Sequence, residues 1–163
     1  MNYMTVAIRK GLSFGLTSGV ITTLGLIIGL NSGTHSRLVV VSGILVIAVA
    51  DGLSDAIGIH LSEETDKKSN KAVWQTTIST FCSKFIFALS FMIPVMLFPL
   101  NIAILISIIY GITLVCVLTY YIQVQKNNKP WKMMLEHVIL TCIVVIVSHI
   151  VGNASASIST LNY

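Results

Sequence analysis

Five mostly apolar runs recur along the chain, each near the roughly 20 residues that a helix needs to cross the hydrocarbon core of a bilayer. They cover Leu12–Asn31, Leu38–Leu61, Gln75–Phe98, Leu100–Gln123 and Lys132–Gly152. Lipid offers no partners to backbone N–H and C=O groups, so a spanning segment must satisfy its own, and a helix does so internally. The expected fold class is therefore all-α: a polytopic membrane protein with five transmembrane helices, forming one transmembrane domain over residues 1–163. Composition agrees. The 163 residues are 55% hydrophobic and 10% charged, whereas an ordinary soluble domain carries about a quarter charged residues. A nucleic-acid module, a disordered tail and a secreted disulfide scaffold are all poor fits. The cysteines Cys82, Cys116 and Cys142 fall inside spans, and their odd number suggests no disulfide framework.

The basic side chains set the expected orientation. Arg9 and Lys10 precede the first span, Lys67, Lys68 and Lys71 lie between the second and third, and Lys126, Lys129 and Lys132 between the fourth and fifth. The opposite side holds only Arg37. Loops rich in Lys and Arg stay on the cytoplasmic side, so the N-terminus is expected in the cytoplasm and the C-terminus outside. The first span is glycine-rich, lacks a clear small-x-small cleavage site and is followed at once by a second span, so it reads as retained rather than as a signal peptide.

Punctuation between the spans is legible. Pro99 and Asn101 mark a tight hairpin between spans 3 and 4. Pro94 removes a backbone donor and is expected to kink span 3. The stretch Lys126–Pro130 is a polar break, with Pro130 suited to a helix start. The tail Ala154–Thr160 is small and polar and reads as loose.

The first span carries Gly11, Gly15 and Gly19, then Gly25, Gly29 and Gly33, each set spaced by four. Missing side chains along one stripe let a second backbone approach, so these glycines are assigned to helix packing or dimerisation. A smooth pathway wall, with oxygens from Thr17, Ser18, Thr22 and Thr23, is the functional alternative.

Asp51 and Asp55 are the strongest chemical signal, because two carboxylates four apart share one helix face. A carboxylate inside the bilayer is costly unless paired or hydrated. The pair suits the exchange of a cation for protons. Counting from the span ends at about 1.5 Å per residue puts Lys84 at a similar depth, with Glu136 and His137 near the same level. Lys84 is thus either an ion-pair partner of the acids or a side chain that reaches back to the interface. Asp51, Asp55, Glu136 and His137 are candidate cation ligands. At the mouth of span 2, His60, Glu63 and Glu64 combine an imidazole with carboxylates, a set that suits Fe(II), Mn(II) or Zn(II). A solvated helix end with ordinary charges is the alternative there. His35 and His149 lie towards the other face.

No phosphate-cradling loop, zinc-spaced cysteine pair or nucleophile–base set is present. Catalytic residues, enzymatic activity and a permanently bound cofactor are accordingly not expected.

The stretch Ile8–Ser18 resembles the opening of the first helix in the vacuolar iron transporter family, and Ala50–Glu64 resembles the end of that family's second helix. Five spans with the N-terminus inside also resemble that family. The likeness covers residues 8–64 and is architectural beyond them. Two departures stand out: Phe14 occupies the position of the family's first-helix Asp, and Asp55 that of its second-helix Met. The family's metal-binding insertion between helices 2 and 3 is reduced to the short loop between Leu61 and Gln75, with Glu63, Glu64 and Asp66 as its acids. The resemblance implies a homodimer that moves Fe(II) or Mn(II) out of the cytoplasm against protons. The expected function is thus a proton-coupled exporter of divalent transition metal, with the lipid bilayer, the metal ion and a second copy of the chain as partners. Among membranes, a prokaryotic inner membrane is favoured over a vacuolar one. The alternatives are a non-metal carrier or channel with an Asp–Lys structural pair, and a non-transporting assembly partner.

Overall fold

A computed structural model describes residues 3–125 and 128–160. Lys126 and Asn127, part of the polar break, lie outside the described residues. The described chain is helical and contains no strand: α1 Tyr3–Thr34, α2 Arg37–Thr65, α3 Asn70–Ser90, α4 Met92–Leu97, α5 Leu100–Gln125 and α6 Pro130–Thr160. Five segments are long and apolar enough to cross a membrane: Val6–Thr34, Arg37–Thr65, Asn70–Leu97, Leu100–Gln125 and Pro130–Ile158. The third consists of α3 and α4 together. All of them extend past the apolar runs at one or both ends, because backbone hydrogen bonding continues until a cap or a proline stops it, whatever the surrounding solvent.

The stops have local causes. His35 ends α1 in the left-handed region at φ 52°, with its N–H donating to the Asn31 carbonyl at 2.9 Å. Lys67 does the same after α2 at φ 53°, and the bonds Lys67 N to Glu64 O and Lys68 N to Glu63 O reproduce the pattern that closes many helix C-termini. The loop expected between Leu61 and Gln75 is therefore much shorter, because α2 runs on to Thr65 and α3 resumes at Asn70. Helicity breaks at Phe91, three residues before Pro94. Pro94 has no N–H for the Ser90 carbonyl, so the expected kink is an interruption between two helices. Phe98 is extended (φ −118°, ψ 158°), as a residue before proline prefers, and this ends α4 ahead of Pro99. The tail from Ala154, expected to be loose, instead continues α6 to Thr160, with the Ser155 and Ser157 hydroxyls donating to carbonyls one turn back.

The chain divides into two compact units, Met1–Val20 with Leu45–Ser90, and Ile21–Ile44 with Phe91–Tyr163. In the first, Gly11 stands over Thr76 and Ser79, Gly15 over Thr80 and Ser83, and Gly19 over Lys84. The hydroxyls in this buried seam are satisfied: Thr76 and Thr80 donate to carbonyls one turn back on α3, and Ser83 donates to the Leu12 carbonyl of α1 at 2.9 Å. In the second unit, Gly25 and Gly29 face Val144 and Ser148 of α6, and Gly33 faces Gly152. Helix α5 packs along α6 and against α4. Its buried stripe is Ala103, Ser107, Gly111, Val115, Thr119 and Gln123, a strict four-residue spacing. Both glycine sets thus meet other helices of the same chain. All three cysteines are free thiols.

Candidate functional site

The polar centre of the first unit is built on Lys84. Its side chain is 1% exposed. The ammonium lies 2.5 Å from Oδ2 of Asp51, 2.5 Å from Oδ2 of Asp55 and 3.0 Å from the Ser18 hydroxyl. An ammonium has three N–H donors, so each has an acceptor. Ser18 in turn donates to Asp55 Oδ2 at 2.6 Å.

Each helix contributes for a local reason. On α2 the spacing of four places Asp51 and Asp55 one above the other. On α1, Gly19 removes the side chain that would occupy the path of the Lys84 stem: a Cβ there would stand 3.1 Å from Lys84 Cγ. On α3, Lys84 ends the buried run Thr76, Ser79, Thr80 and Ser83 that faces the glycine stripe. The carboxylates remain partly open, at 31% for Asp51 and 23% for Asp55. Two carboxylates against one ammonium leave a surplus of one negative charge when all three are ionised.

Of the two alternatives for Lys84, the structure has the ion pair, and with both acids at once. Sequence reading singled out Ser18 only as a wall oxygen; its role as third acceptor became visible once α1 and α3 met.

The acidic mouth separates into two parts. Glu63 is buried and paired with Lys10 of α1, which ties the start of α1 to the end of α2. Nothing in the spacing of these residues, 53 apart, signals that pair. Glu64 is exposed and lies 3.4 Å from His60 Nε2. The other ring nitrogen of His60 is 2.9 Å from Thr77 Oγ1, and the ring meets Trp74 edge to face with centroids 4.8 Å apart.

Glu136 and His137 belong to the second unit. There His137 Nδ1 lies 2.9 Å from Thr119 Oγ1, and Glu136 is exposed. In the same unit His149 bridges Ser32 (2.6 Å) and Asn153 (3.1 Å). His149, His35 and Asn31 line a largely apolar cavity of about 370 Å³. Among the described residues, no three His, Cys, Asp or Glu side chains gather into one metal-ligating group.

Fold and composition together define an all-α integral membrane protein with several spans, carrying a charged cluster within its helices. No protein-family model matches the chain, and no curated protein matches it.

Proposed function

We propose that this protein is a membrane carrier of divalent transition-metal cations, Fe(II) or Mn(II), exchanged against protons. Asp51 and Asp55 form its cation site, and Lys84 fills that site between turnovers. The observation that carries the reading is that two carboxylates converge at 2.5 Å on one cationic atom. The ammonium stands where a transported cation would be held. The Lys84 ammonium and an incoming metal ion compete for the same oxygens, so occupancy by one excludes the other. Partial exposure of both carboxylates leaves them reachable. The orientation belongs to the same proposal: basic flanks on the cytoplasmic side, and export from the cytoplasm of a prokaryotic cell. The resemblance of residues 8–64 to the vacuolar iron transporter family supplies the choice of metal and the homodimer.

A second reading has its own support. Lys84 is 1% exposed and all of its donors are used, which equally suits a permanent clamp holding α1, α2 and α3 in a non-metal carrier or channel, or in an assembly partner.

Uptake into proteoliposomes of Fe(II), Mn(II), Co(II) and Zn(II), with and without a pH gradient, tests the first reading. Metal flux that depends on the gradient and is lost in folded Asp51→Asn and Asp55→Asn proteins is expected. Wild-type rates in both variants would remove the site. A charge swap, Asp55→Lys with Lys84→Asp, separates the readings: a clamp tolerates it, whereas a cation site loses flux.

A further inference from the structure

We propose that His60 and Glu64 form a second, two-ligand site for a divalent transition metal at the end of α2, with Thr77 as its positioning residue. Its role as a collecting station for carriage rests on the function proposed above; the binding itself does not.

Thr77 determines which nitrogen of His60 is available. The Thr77 hydroxyl lies 2.8 Å from the Val73 carbonyl and donates its one hydrogen there. It can therefore only accept from His60 Nδ1, at 2.9 Å. Nδ1 carries the ring hydrogen, and the lone pair of the neutral imidazole is on Nε2. Metal-ligating histidines are held in this way, with the second ring N–H given to a fixed acceptor. The edge-to-face contact with Trp74 restrains the ring further.

A carboxylate oxygen lies near that nitrogen. His60 Nε2 and Glu64 Oε1 are 3.4 Å apart. That exceeds the roughly 2.7–2.9 Å of a charge-assisted hydrogen bond. It matches the separation of about 3.4 Å between two ligands that each sit about 2.1 Å from one tetrahedral ion. Imidazole with carboxylate suits Zn(II), Fe(II) and Mn(II). Glu64 is 56% exposed, so water can complete the coordination. Glu63 takes no part, because Lys10 holds it.

Trp74 supplies a readout independent of transport. The chain has two tryptophans, so Trp131→Phe leaves Trp74 as sole reporter beside the site. Titrating that protein in detergent micelles with Co(II) is expected to quench Trp74 emission saturably, with excess Zn(II) reversing it. His60→Gln or Glu64→Gln should raise the half-quenching concentration about tenfold or more, and Thr77→Val, which removes the outer partner, by a similar order. Thr77→Ser should restore it. Absence of saturable quenching, or an unaltered titration in Glu64→Gln, would overturn the site and make the contact an ordinary helical ion pair. Metal flux in a protein without this quenching removes the site but spares the carrier. Quenching in a protein that carries no metal does the reverse.

Discussion

Lys84 lies against Gly19, with its Cγ 3.1 Å from where a glycine-to-alanine change would place a methyl group. A bare helix surface here makes room for a charged stem. The glycines differ sharply in this respect. At Gly15 an added Cβ would collide with the Thr80 carbonyl, which is backbone and cannot swing away, whereas at Gly58 nothing lies within 4 Å. Alanine removes the roughly 0.5–1 kcal/mol that glycine costs in a helix, but overpacking typically costs about 1–3 kcal/mol. Gly58→Ala should therefore leave thermal unfolding in micelles unchanged or slightly raised, and Gly15→Ala should lower it. Clear destabilisation by Gly58→Ala would mean that this face of α2 is covered by a second molecule, as the proposed homodimer allows.

Removing one member of the Lys84 cluster should be worse than removing all its charges. Breaking a buried pair typically costs about 3–5 kcal/mol, while replacing it entirely is often near neutral. Lys84→Met leaves Asp51 and Asp55 facing each other without their shared cation. It should strongly lower the unfolding midpoint, and adding Asp51→Asn and Asp55→Asn should recover most of the loss. If the triple variant is no more stable than Lys84→Met, the charges are not what the lysine supplies.

The Lys10–Glu63 pair should respond asymmetrically. The Glu63 side chain is 4% exposed and that of Lys10 is 47% exposed. Lys10→Met leaves a buried carboxylate without its partner, at a cost of about 1–3 kcal/mol or more. Glu63→Gln leaves a half-exposed lysine that water can solvate, so the loss should be smaller. Unfolding of the two variants side by side tests the order, and a larger loss for Glu63→Gln would contradict it.

Elements governed by local physics were legible before any tertiary contact was known. The five spans follow from matching a helical backbone to lipid over apolar runs, and each run overlaps one observed membrane-length segment, which extends past it at one or both ends. Pro94, Pro99 and Pro130 act through a missing N–H or a fixed φ, which are properties of one or two residues. The shared face of Asp51 and Asp55 is helix geometry alone.

What remained open depended on which helices meet. That Lys84 reaches both acids required α1, α2 and α3 to come together with Gly19 leaving space, a matter of contacts 29 to 66 residues apart. Glu63 and Glu64, neighbours in sequence, point to different partners because successive residues on a helix lie about 100° apart. One faces α1 and is buried, while the other faces outward beside His60. Chain order alone thus specified the number of spans and the proline breaks between them, though not where the helices running past Leu61 and Gly152 end, since spans and proline breaks are set residue by residue against solvent and backbone. Only the tertiary structure decided the partners of each charge, since an ion pair is selected by helix packing that no local window contains.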